Sequence, residues 1–334
     1  MHRRNFLKTS ASCGAHVLGL AMFAPTLTRA AFAPLQDDDV IATEKWGRLE
    51  RIHDGVWALI STPFGDEGDF TTVCNGGIIA GENGVLAVES FMQAKGATWL
   101  AEQAKQLTGS WPTDVVSTHY HGDHTAGHKG YFTDDHEPRV WLTESTRAAA
   151  EESFGERGME ENEFQNVSVI DGEQGGTIDL GNRQVRLVPR SGHTASDVTI
   201  ELVEPKVVWC GDLFFNRMFP NYGDAMPGKL NEYSNSIIEA SDVTYVPGHG
   251  PVADVEALNK YKEFLAYIEE QARVAHDAGK SAEEATGDFE LPDSFSEWIV
   301  WSPDNATKAF DAWFREWEPA DSERSSGDTE SGGG

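Results

Sequence analysis

Between Val115 and Gly127 the chain reads VVSTHYHGDHTAG, and four side chains able to bind a cation, His119, His121, Asp123 and His124, fall within six residues. Imidazole and carboxylate are donors that divalent metals such as zinc accept. The run Val115 to Thr118 is short and rich in β-branched residues, which predicts a buried strand leading into the cluster. Alternation along an extended segment turns His119 and His121 to one side. Gly122 then lets the chain turn sharply, so that Asp123 and His124 come back toward the same point. One metal takes three or four protein ligands, so this cluster with distant partners supplies donors for two.

Three distant partners share one setting. His193 lies in SGHT after a strand ending at Pro189, Asp212 in CGD after an apolar run, and His249 in PGHG after another strand. Each sits at a strand-to-loop break beside glycine, and loops from separate parts of a layered α/β fold converge at strand ends. Taken singly, a histidine after a strand is more often structural than a ligand. Taken together, the three form a set.

The elements that must position these residues alternate along the chain. Strand-like runs at Leu49 to His53, Val56 to Ser61, Thr72 to Ala80 and Val85 to Glu89 are separated by turn signals. A helix is predicted over Lys95 to Leu107, closed by Gly109 and Pro112. After the cluster come a strand at Val140 to Leu142 and a helix over Thr143 to Glu152, capped by Thr143. Strands follow at Val167 to Ile170, Thr177 to Leu180, Arg183 to Pro189, Val198 to Val203 and Val207 to Cys210. A helix over Lys229 to Ala240, a strand at Val243 to Val246 and a long helix over Asp254 to Ala278 complete the core pattern. This succession predicts two similar α/β halves packed sheet on sheet. Trp298, Trp301, Phe310, Trp313 and Trp317 recur at roughly helical spacing, the mark of core contacts in a helical extension. Residues 319–334 are rich in Ser, Gly and acid and are expected to be disordered.

At the other end, Arg3-Arg4-Asn5-Phe6-Leu7-Lys8 precedes a mildly apolar stretch, Ala11 to Leu27, and then Ala31-Phe32-Ala33. That tripartite order predicts a twin-arginine signal peptide over residues 1–33, export through the twin-arginine machinery, and a periplasmic protein. The stretch is too short and too weakly apolar for a stable membrane span. An acidic linker over residues 34–44 follows. The formal charge is −29, and the first 33 residues hold four of the 26 basic residues and no acid, leaving 22 basic against 55 acidic residues, or −33. Such a surface repels nucleic acid and anionic lipid, so a small molecule is the expected partner.

THYHGDH, SGHT, CGD and PGHG, in that order, resemble the metallo-β-lactamase-fold hydrolase superfamily over about residues 45 to 255. The resemblance implies an α/β fold, a four-layer αββα sandwich, with residues 256–318 as a C-terminal helical extension. It also implies a dinuclear zinc site. His119, His121 and His193 would hold one ion, Asp123, His124 and His249 the other, and Asp212 would bridge them. Lactamases of the main subclass carry Cys at the bridging place, so Asp212 is more similar to hydroxyacylglutathione hydrolases and lactonases. The thioesterase relatives continue their motif with Gly-Gly, whereas this chain has Thr125-Ala126-Gly127-His128.

The chemistry so implied is cleavage of an ester, thioester, lactone or amide, β-lactams included. Metal-bound water, with its pKa lowered from ~15.7 to about 7, is the nucleophile, and Asp123 is the catalytic residue that orients it. The alternative within the fold is an iron-dependent persulfide dioxygenase using a subset of the same ligands. Cys74 and Cys210 either pair in an oxidising compartment or sit apart as small buried residues. A strand continuing past Cys210 is expected to point it away from Asp212. Tyr120 and His128 flank the cluster as outer supports or as plain packing. Gly65 to Asp69 reads equally as a flap or a hairpin loop, and with Asn216 to Gly228 it is expected to shape the pocket.

Overall fold

The computed structural model describes residues 39–63, 68–159, 162–237 and 242–318. The expected signal peptide, residues 34–38 of the expected linker, most of the Gly65 to Asp69 loop and the acidic tail lie outside these residues, and the rest of that linker is largely strand, from Val40 to Glu44.

Strands β1 (Val40–Glu44), β2 (Gly47–His53), β3 (Val56–Ser61), β4 (Gly76–Ala80), β5 (Val85–Val88), β6 (Asp114–Val116), β7 (Arg139–Thr143) and β8 (Val167–Ile170) form one sheet in sequence order. Its first half is antiparallel, and from β5 to β8 the strands run parallel. The crossovers carry α1 (Ala94–Thr108), the one-turn α2 (Gly122–Thr125) and α3 (Glu144–Glu156). A second sheet, ordered β13-β12-β11-β10-β9, comprises β9 (Gly176–Asp179), β10 (Gln184–Arg190), β11 (Asp197–Leu202), β12 (Val207–Phe215) and β13 (Thr244–His249). Helices α4 (Pro227–Ser236), α5 (Val255–Asp277), α6 (Ala282–Gly287) and α7 (Asn305–Trp317) complete the chain.

Alternation sorts the side chains into layers. In β3, Val56, Ala58 and Ile60 face the second sheet, where they meet Val185, Leu187, Val198 and Ile200. Trp57 and Leu59 face the other way, onto a core shared with Leu100 and Ala104 of α1. Trp209 of β12 reaches across the middle layer and donates from Nε1 to the Gly76 carbonyl at 3.2 Å. The outer face of the second sheet is covered by α4 to α7. The result is an αββα sandwich with a C-terminal helical region. Trp298, Phe310 and Trp313 are buried in that last layer, with Trp301 and Trp317 packed against it, as their spacing predicts.

Three local expectations change. The halves are unequal, with eight strands against five, because β7 and β8 continue the parallel run of the first sheet. Thr72 to Asn75 is not strand, since Val73 takes a left-handed φ of 71°. Strand β12 does not stop at Cys210 but runs on to Phe215.

Candidate metal centre

Strand β6 ends at Val116, and hydrogen bonds close the next eight residues on themselves. The His124 carbonyl accepts from Ser117 Oγ at 2.8 Å and from the Ser90 amide at 3.0 Å. Thr125 Oγ1 donates to the His121 carbonyl at 2.9 Å, and the His124 amide donates to the same oxygen at 3.0 Å. These bonds fold HGDH into the single turn of α2, so His119, His121, Asp123 and His124 end up on one side.

The second sheet brings the other three residues to meet them. His193 stands in the turn between β10 and β11. The Asp197 carboxylate accepts from the amides of His193 and Thr194 and from Thr194 Oγ1, at 2.6–3.1 Å. Asp212 lies inside β12 beside Gly211, whose φ is +53°. A Cβ on Gly211 would stand 2.6 Å from Thr118 Oγ1, so the residue must be glycine for both conformation and space. His249 ends β13, stacked on Phe215 with ring centroids 5.0 Å apart. Just before it, the space a Cβ on Gly248 would need is filled by Asp212 Oδ1.

All seven residues singled out in the sequence converge, in two groups. His119, His121, His193 and Asp212 form one, and Asp123, His124 and His249 the other, with the donor atoms of each group within 4.8 Å of one another. In the first, His121 Nδ1 lies 3.0 Å from His119 Nε2 and 2.9 Å from His193 Nε2. In the second, His124 Nε2 and His249 Nε2 lie 3.6 and 3.5 Å from Asp123 Oδ2. Asp212 faces both groups: Oδ2 stands 3.3 Å from His193 Nε2, and Oδ1 stands 3.2 Å from both His124 Nε2 and His249 Nε2. A tetrahedral ion with bonds of ~2.0–2.1 Å sets its ligands about 3.3 Å apart, so the spacing fits a metal in each group. The donor chemistry agrees. His124 Nε2 and Asp212 Oδ1 are buried without a hydrogen-bond partner, a costly state for polar atoms that a cation relieves.

Behind the inward-facing nitrogens, other groups fix each ring. Asp224 Oδ2 accepts from His121 Nε2 at 2.9 Å and from Tyr120 OH at 2.6 Å. Glu89, buried at the end of β5, pairs with His124 Nδ1 at 3.0 Å and accepts from Thr118 Oγ1 at 2.6 Å. The Asn221 carbonyl accepts from His193 Nδ1 at 3.1 Å, and Thr118 Oγ1 lies 3.0 Å from His119 Nδ1. Such partners hold the tautomer and orientation that ligation requires. Burial pushes His193 down to about 4 and, with its histidine neighbours, holds His119 well below its usual range. Burial opposes charge on Asp212 too, but His249, His124 and His193 outweigh it and keep the carboxylate ionised. Asp224 likewise drops to about 2, against burial, through its bond to His121.

Glu89, Asp197 and Asp224 are supports that sequence reading does not find, as is Asn75, whose Nδ2 donates to the carbonyls of Pro247 and Gly250 on either side of His249. Glu89 carries a weak signal, an acid closing an apolar run, and Asp224 carries none beyond its place in Asn216 to Gly228. Tyr120 proves an outer support through Asp224. His128 is packing, with its ring 4.3 Å from that of Phe164. Cys74 and Cys210 are both free and buried, in separate cores. Cys210 does point away from Asp212, but regular alternation would put the two on one face. The left-handed turn at Gly211 is what separates them.

The family described as Metallo-beta-lactamase superfamily matches residues 70–261. The chain is 25% identical over 248 residues to the metallo-beta-lactamase type 2 of Bacillus sp. (strain 170), covering 71% of this chain and 90% of that one. It is 25% identical over 177 residues to a beta-lactamase-like protein 2 homolog of Caenorhabditis elegans, 52% of this chain and 53% of the relative. The metallo-beta-lactamase structure from Erythrobacter litoralis aligns with a TM-score of 0.54 at 16% identity, over 69% of this chain and 100% of that one. The inverting sec-alkylsulfatase Pisa1 from Pseudomonas sp. aligns at 0.60 and 14% identity, over 85% of this chain and 52% of that one. These two share the fold. The family match spans more than half of the sequence and contains all seven converging residues, and the chain belongs to the metallo-β-lactamase superfamily.

Proposed function

We propose that the protein is a binuclear zinc hydrolase that cleaves an ester, thioester, lactone or amide bond, β-lactams included, in a small molecule. The observation that carries this reading is the Asp212 carboxylate, which turns one oxygen to each donor group. When bound, divalent cations supply Lewis acidity and a nucleophile at neutral pH. The chain's own residues do the rest. Glu89 and Asp224 keep the far nitrogens of His124 and His121 engaged, so His124 Nε2 and His121 Nδ1 face the centre. Asp123, the most exposed of the seven at 18% of its side chain, lies at the open side. There its carboxylate accepts a hydrogen bond from the attacking water and aims the water's lone pair at the carbonyl. No serine or cysteine nucleophile is needed.

Elemental analysis of protein purified without added metal tests the reading. Two zinc ions per chain, with hydrolysis lost on chelation and restored by zinc, is the expected result. A single iron, with oxygen uptake in the presence of a persulfide, would overturn it in favour of the dioxygenase chemistry.

The same proposal includes export through the twin-arginine route to the periplasm, on the strength of RRNFLK and the small-x-small site at Ala31 to Ala33. A reporter fused behind residues 1–33 should leave the cytoplasm, and should stay there when Arg3 and Arg4 are both replaced by lysine.

A further inference from the structure

Arg157 stands apart from every other arginine of the described residues. Arg48, Arg51, Arg139, Arg147, Arg186, Arg190, Arg217, Arg273 and Arg315 each meet a carboxylate. Arg183 donates to the carbonyls of Asp54, Gly55 and Ala80. Arg157 is exposed, and no ion pair, side-chain hydrogen bond or ring contact engages its guanidinium among the described residues. In a chain with 55 acidic residues against 26 basic ones, an arginine without an acidic partner is a notable exception.

Its place is set from both sides. Arg157 caps α3, and its amide donates to the Phe154 carbonyl at 3.1 Å. Phe154 is buried against His128 and Phe164. A few residues on, Asn162 Nδ2 donates to the Ala126 carbonyl at 2.9 Å, tying the segment to the end of α2. The side chain then reaches back to the HGDH turn. Nη1 lies 2.8 Å from where a Cβ on Gly122 would stand, and Cζ lies 3.7 Å from it. Gly122 separates the metal-binding candidates His121 and Asp123, and Gly122 and Asp123 are the partly exposed members of that turn. The missing side chain at Gly122 is therefore the seat of a guanidinium on the open rim of the centre.

We propose that Arg157 determines specificity, binding an oxyanion, a carboxylate or a sulfonate-type group, on the non-scissile part of the substrate. This rests on the hydrolase reading. An unpaired guanidinium presents a planar fork that matches two oxygens of such a group. The surrounding acidic surface repels anions, so one placed cation decides whether an anionic substrate binds in register.

The test compares wild-type holoenzyme with Arg157→Ala and Arg157→Lys on three 4-nitrophenyl esters. One is the neutral acetate, one carries a terminal carboxylate (the glutarate hemiester), and one carries a terminal sulfonate. Arg157→Ala should raise KM for an anionic ester about tenfold, with kcat changed less than twofold and the acetate unaffected. Arg157→Lys should fall between. An effect on the carboxylate ester alone, or on the sulfonate ester alone, identifies the natural anion. The same change for all three esters, or no change for any, would overturn the proposal. Should the wild type cleave none of the esters, the ester branch of the hydrolase reading fails, and calorimetric binding of glutarate then decides the role of Arg157. About tenfold weaker binding in Arg157→Ala upholds it, and equal binding removes it.

Discussion

The two donor groups share Asp212 and differ in almost everything around them. His119, His121 and His193 are closed in, with side chains 1%, 6% and 0% exposed. Each has its far nitrogen engaged, by Thr118, Asp224 or the Asn221 carbonyl. In the other group Asp123 and His249 are 18% and 11% exposed, and only His124 has a buried acid, Glu89, behind it. His249 is steadied mainly by the face of Phe215. A pre-set, dry pocket favours tight binding, whereas an open one trades affinity for access. On the binuclear reading, the first group would retain its metal and the second would meet the substrate.

Removing what the groups share should have the largest effect. Asp212→Ala should lower kcat/KM by about a thousandfold or more and reduce the metal content, with the far-ultraviolet circular dichroism unchanged. Activity within tenfold of wild type would show that the carboxylate is not a bridge.

Stepwise chelation separates the groups. Metal should leave in two phases, and His249→Ala should abolish the fast phase while leaving the slow one. Loss of the slow phase would invert the comparison. Smaller effects come from the supports. Asp224→Asn should weaken the slowly released metal about 10- to 100-fold, and Glu89→Gln the rapidly released one by a similar factor, read as shifts in competition with a chelator. A shift of both phases by either variant would mean that the groups are coupled.

The smallest effect concerns the wall behind α2. Burial lowers His128 to about 4 from 6.5, so between pH 6.5 and 4 the unfolded chain takes up a proton that the folded chain refuses. Stability should therefore fall as pH drops through that window, with no contribution from His128 above it. His128→Phe should narrow the gap in Tm between pH 7 and pH 5 by roughly 3–6 °C. An unchanged gap would place the acid sensitivity elsewhere.

Legibility in the sequence follows the same division. Four of the seven residues are adjacent along the chain, and strand periodicity with one glycine suffices to bring them together. His193, Asp212 and His249 are readable because each stands beside a glycine at a strand-to-loop signal. The structure gives a glycine in each motif a reason, close approach at Gly192, Gly211 and Gly248. The supports are not readable in this way. Asp224 and Glu89 act where a loop lands in space, and nothing local to 224 or 89 states where that is. The uneven division of strands between sheets has the same origin, since a period of two specifies faces and not neighbours. The length of β12 was hidden because a glycine in CGD reads as an end, whereas here it is a kink within a continuing strand.

Asn75 ties together what those signals leave separate. Its Nδ2 donates to the carbonyls of Pro247 and Gly250 at 2.9 and 2.7 Å, its Oδ1 accepts from the Ser61 amide, and its own amide donates to Gly248. One side chain just ahead of β4 thus grips the chain on either side of His249, at the end of β13. The donors of the HGDH turn are neighbours along the chain and need only a short loop closure, whereas His249 belongs to the second sheet and joins them through the packing of the two sheets. If the centre binds two ions as proposed, the second would be held only after the sheets dock, and a chain stalled before docking should hold a single ion.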